Sequence, residues 1–119
     1  MSTEPCIDEK AIASIREIGG DELLEKLIAL FNDYVAGRIA AAKTAAAKSD
    51  WTGVQDAVHP VKSSAANLGA QHVREIARQL EQLARAGSTA HIPDRLADLE
   101  AAFASAREAL GEFRRPPHA

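Results

Sequence analysis

Apolar residues recur every three or four positions along most of this chain, and the rhythm stops only at glycines, a Ser-Asp pair and prolines. Ile7, Ala11, Ile12, Ile15 and Ile18 share one helical face, and the spacing ends at Gly19-Gly20. Asp21 is placed to cap a second helix with the stripe Leu24, Leu27, Ile28, Phe31, Tyr34 and Val35. Gly37 either ends or kinks that helix before "RIAAAKTAAAK", whose small side chains suit close packing. Ser49-Asp50 is a capping signal for a helix from about Trp51. There Trp51, Val54, Val58, Val61, Ala65 and Leu68 alternate steps of three and four, the core seam of an antiparallel bundle. Gly69 suits the left-handed residue after a helix end. "AQHVREIARQLEQLARAG" then turns Val73, Ile76, Leu80 and Leu83 inward and closes at Gly87. Ser88 to Ile92 are expected to form a loop, with Pro93 opening a last helix striped by Leu96, Leu99, Phe103, Ala106 and Leu110. The pattern predicts an all-α antiparallel four-helix bundle with a short additional N-terminal helix. It fills one domain over residues 1–119, with 1–6 and 114–119 as flexible tails.

Composition supports that class. The chain is 46% hydrophobic but only 4% aromatic, with alanine prominent, which favours helices over strands. The formal net charge of −3 and the mixing of basic with acidic residues leave no basic stripe, so nucleic acid is not an expected partner. Cys6 is the one cysteine, which excludes an internal disulfide and a multi-cysteine zinc site and fits a reducing compartment. The start "MSTEPCIDEK" is polar, unlike a secretory signal, and the apolar runs are too short to span a bilayer. A cytoplasmic protein without a membrane partner is expected. His72, His91 and His118 fall at a helix start, a loop and the tail, so no metal site is expected from them.

The chemistry concentrates in "AVHPVKSSAANLGA", residues 57–70. On a helix His59 points away from the centre of the Val58–Val61 seam and shares a face with Gln55, Lys62, Ser63 and Ala66. A titratable ring, a cation one turn on and a low face let a large partner reach the imidazole. This combination suggests a nucleophilic histidine handling an anion. Pro60 is the discordant residue. Its ring removes the hydrogen bond to the Asp56 carbonyl and should kink the helix, at about 3 kcal/mol in a regular interior.

A turn at Gly69 brings together residues whose numbers add to about 138–140, by antiparallel helix geometry. His59 then lies opposite Gln79 to Glu81. A carboxylate on Nδ1–H would leave Nε2 unprotonated and nucleophilic, so Glu81 is the candidate orienter and Gln82 the second choice.

His59-Pro60-Val61-Lys62-Ser63-Ser64-Ala65-Ala66-Asn67-Leu68-Gly69 resembles the signature of the histidine-containing phosphotransfer (HPt) family of two-component phosphorelays. The likeness extends through "LLEKLIALFNDYVAGRIAAAKTAAAKSDW" upstream and "REIARQLEQLARAG" downstream. It implies that His59 is phosphorylated, that Lys62 stabilises the phosphoryl group, and that Ser63 takes a small position facing the docked partner. Glu81 matches a position where family members often place Gln or Glu against the histidine. The expected partner face is Gln55, Lys62, Ser63, Ala66 and Asn67. The implied partners are response-regulator receiver domains or a hybrid sensor kinase. No cofactor is expected in this chain, because the receiver brings Mg²⁺. Ser63 in place of the common Gly adds a hydroxyl but little bulk.

The resemblance thus implies a phosphorelay intermediate, expected to act as a monomer and not as an enzyme with its own kinase activity. The alternative is a helical adaptor that docks receivers without being phosphorylated. No nucleotide-binding glycine loop or clustered carboxylate pair points to another enzyme class. Met1 and the polar tail favour a free-standing shuttle over a module of a larger kinase.

Overall fold

Four helices carry the predicted stripes in a computed structural model that describes residues 6–114. They are α1 (Glu9–Ala47), α2 (Trp51–Asn67), α3 (Gln71–Ala86) and α4 (Ile92–Arg114), with a 3₁₀ turn at Thr89–His91 before the last. Successive helices pack side by side, and α1 also packs on α4, which closes the bundle. The core is built from Leu24, Ile28, Phe31 and Val35 of α1 against Val54, Val58 and Val61 of α2. Val73 and Leu80 of α3 and Leu99, Phe103 and Leu110 of α4 complete it.

The expected short N-terminal helix is the first arm of α1. At Gly20 the backbone turns to φ 71° and ψ −167°, outside helical space, so residues 9–19 form an arm ahead of the main rod. Asp21, expected as a cap, accepts a hydrogen bond from Arg16 Nε at 2.8 Å across this break. The same guanidinium donates to the Phe113 carbonyl at 2.8 Å and ties the arm to the end of α4. Gly37 neither ends nor breaks the rod, since Gly20 alone leaves helical angles within α1. Asp50 caps α2 as expected, accepting from the Gly53 amide at 2.9 Å.

Three expectations are corrected. Ile18 is 81% exposed, because the arm ends at Gly20 before that side chain can reach the core. Tyr34 is 45% exposed: it stands about 60° from Phe31 and 100° from Val35 at the stripe's edge, where the phenol stays in water. Ile92 belongs to α4, not to a loop, and is fully buried, so the helix opens one residue before Pro93. Of the expected tails, residues 1–5 and 115–119 lie outside the described residues. Cys6 packs against the core and Arg114 ends α4.

The α2–α3 turn does more than reverse the chain. Gly69 has φ +69°, and a Cβ there would fall 2.7 Å from the Asp8 carbonyl oxygen. The segment before α1 crosses this turn, with the Asp8 amide donating to the Gly69 carbonyl at 2.8 Å and Ile7 bridging to Ala70. Gly69→Ala should therefore cost about 2–4 kcal/mol, left-handed strain plus a displaced hydrogen bond. That corresponds to a fall of about 10 °C in Tm by thermal melting. Gly87→Ala is the control. Gly87 shares the positive φ, at +75°, but a Cβ there meets nothing within 4 Å, so only about 1 kcal/mol of strain is expected.

Candidate functional site

His59 is presented on the outer side of α2, with 65% of its side chain exposed. Its neighbours in sequence are committed to the core: Val58 and Val61 are fully buried. The seam therefore fixes the helix's rotation and leaves the imidazole facing solvent. Across the groove, Glu81 of α3 lies on the core side of its helix and is only 5% exposed. The two residue numbers add to 140, the upper end of the predicted register.

Glu81 is the hub of the site. Its Oε2 lies 2.5 Å from His59 Nδ1, its Oε1 accepts from Lys62 Nζ, and Arg85 NH2 stands 3.5 Å from Oε2. A buried carboxylate without partners would favour its neutral form. Burial does push the Glu81 pKa up, but the hydrogen bonds from Lys62 and His59, with their charges, outweigh it. The net shift is downward, so the group is an anion at neutral pH. An anionic carboxylate can only accept, so the proton between the two side chains sits on Nδ1. In the neutral ring that tautomer leaves the Nε2 lone pair free on the exposed side.

Lys62 was expected to wait for an anion. Its ammonium is instead hydrogen-bonded to Glu81 and half-buried, though two of its three N–H donors remain for other acceptors. Ser63 and Ala66 are exposed. Together with Lys62 they line a surface basin of about 380 Å³ whose far wall is Arg74 and Arg78 of α3. Gln55 is half-buried one turn before His59. Asn67 belongs elsewhere: it lines an apolar groove of about 280 Å³ between α1 and α2 with Leu27, Leu30, Tyr34 and Ser64. Gln82, the second choice for an orienter, faces a separate hollow beside Leu83 and His91.

Two features were missed from the sequence. Arg74 and Arg78 add positive charge to the basin, with Arg78 held by Glu75 at 2.9 Å. Arg38 of α1 reaches α2 beside His59, where Nε donates to the Ala57 carbonyl and NH2 to the Asp56 carbonyl, both at 3.0 Å. The signal for Arg38 was Pro60 itself, which leaves the carbonyl four residues earlier without its helical donor. α2 runs through Pro60 as one continuous helix, so the expected kink does not interrupt it.

Among the described residues no helix is long and apolar enough to cross a membrane. No curated protein matches the chain. Among solved structures, the chain is similar to the crystal structure of histidine-containing phosphotransfer protein B from Pseudomonas aeruginosa PAO1. The TM-score is 0.87 at 25% identity, over 94% of this chain and 96% of that one. The family model for the Hpt domain matches residues 23–109, from the main rod of α1 into α4. The chain belongs to the Hpt domain family, whose members serve histidine phosphotransfer in two-component signalling as intermediates rather than kinases.

Proposed function

We propose that His59 is the residue that carries the phosphoryl group, accepting it from a receiver-domain aspartate and passing it to a second receiver. The carrying observation is a buried, anionic Glu81 on Nδ1 of an otherwise exposed imidazole. In the accepting step the Nε2 lone pair attacks phosphorus, and the bond from phosphorus to the aspartyl oxygen breaks. The aspartate leaves as a carboxylate with the bonding electrons. The ring becomes a phosphorylated imidazolium that keeps its Nδ1 proton, and Glu81 balances that positive charge at one hydrogen bond's distance. Donation to the next receiver is the reverse sequence.

In this reading Lys62 turns a free N–H toward the phosphoryl oxygens while Glu81 holds its position. Ser63 and Ala66 keep the face low, and the cationic wall of Arg74 and Arg78 favours an acidic receiver surface. Gln55 and Asn67 fall at the periphery of the contact. The chain needs no metal of its own, because Mg²⁺ belongs with the receiver's aspartate. We place the protein in the cytoplasm, acting as a monomer.

The test is incubation with a phosphorylated receiver and Mg²⁺. The chain should take up a label that is lost in acid and stable in alkali, the behaviour of a phosphoramidate. Receiver binding without label would instead establish the adaptor.

A further inference from the structure

A proline in the middle of a helix leaves one carbonyl without a donor, and here that carbonyl is Asp56 O, one turn before Pro60 and three residues before His59. Arg38 supplies the donor from outside the helix. Its guanidinium bridges Asp56 O and Ala57 O with two bonds of 3.0 Å, a fork that only arginine presents in a fixed plane. Arg38 is half-buried, and on α1 it is flanked by the buried core residues Val35 and Ile39. Its place on the rod is thus fixed by packing. Ser49 centres the α1–α2 turn, and 38 and 60 add to twice 49, so the arginine and the proline stand at the same level of the two helices.

We propose that Arg38 is a positioning residue for phosphotransfer: it replaces the hydrogen bond that Pro60 cannot make and so holds the turn of α2 that aims His59 at Glu81. This rests on the reading of His59 as the phosphoryl acceptor. Two consequences distinguish it from a general stabilising role. Removing Arg38 should loosen the 56–61 turn locally. It should also matter only while residue 60 is proline, because alanine at 60 would supply its own N–H to Asp56 O and make the arginine redundant.

The experiment is a double-mutant cycle of Arg38→Met and Pro60→Ala on the full chain. It has two readouts: the initial rate of labelling from a phosphorylated receiver, and hydrogen exchange at the Val61 amide. Arg38→Met alone should slow labelling about fivefold to tenfold and speed Val61 exchange by a similar factor, the scale of one charge-assisted hydrogen bond. Receiver affinity should stay within about twofold, because Arg38 acts through the helix and not on the docked face. Arg38→Met/Pro60→Ala should match Pro60→Ala in both readouts. Equal losses in the two backgrounds, or no loss from Arg38→Met, would overturn the proposal. The exchange arm does not depend on phosphorylation. If exchange shows the coupling while wild type takes no label, the reading of His59 fails, not the link between Arg38 and Pro60.

Discussion

His59→Gln should take no label from a phosphorylated receiver under conditions that saturate the wild-type chain. Glutamine has neither an imidazole nor a lone pair of comparable nucleophilicity, and it cannot hold a phosphoryl group. The other histidines should not substitute. His91 sits on the 3₁₀ turn, and His72 lies in the first turn of α3, nine residues from Glu81 in sequence. His118 lies outside the described residues. The substitution should leave the bundle intact, since the ring is 65% exposed and only one hydrogen bond to Glu81 is altered. Stability by urea titration should change by no more than about 1 kcal/mol. Receiver affinity should persist, because the basin is lined by Lys62, Ser63, Ala66, Arg74 and Arg78 and not by the ring. Label at wild-type levels in His59→Gln would place the acceptor elsewhere.

The second large effect belongs to Glu81. Glu81→Ala strips the anion from the centre of His59, Lys62 and Arg85 and frees the ring to adopt either tautomer. Labelling should slow about tenfold to a hundredfold, the usual cost of losing the partner that orients a functional histidine. Glu81→Gln keeps an acceptor for Nδ1–H and should recover most of that loss. Equal slowing by Ala and Gln would show that charge alone, not the hydrogen bond, is what the ring needs. The same carboxylate links stability to pH. Its folded-state pKa lies below the ordinary glutamate range, which the unfolded chain keeps. Its contribution is therefore fully present above that range and is lost as pH falls through the depressed folded value. Urea titrations across the acid limb should show this slope in wild type and lose it in Glu81→Gln.

How much of this was legible in advance differs from residue to residue, for physical reasons. The meeting of His59 and Glu81 followed from one turn position and a fixed rise per residue, so a register sum sufficed. Lys62's tie to Glu81 did not follow, because a flexible four-carbon stem can point along either side of its helix. Gly69 was read as a turn residue. Its second constraint, the passage of Asp8 across the turn, is a long-range contact that no local period reports. Tyr34 and Ile18 were assigned to core stripes on spacing alone, but an edge position and a helix break leave both exposed. Pro60 looked like a defect in its own helix because its compensation comes from α1, a helix away.

In the proposed mechanism Glu81 holds the proton of His59 on Nδ1 so that Nε2 receives the phosphoryl group. NMR of the chain carrying isotope-labelled histidine, before and after transfer from a phosphorylated receiver, tests it most directly. An Nδ1–H tautomer is expected for His59 in the free protein, with phosphorus–nitrogen coupling at Nε2 of the same ring after transfer. Coupling at Nδ1, or phosphorylation that leaves the His59 ring unchanged, would contradict it.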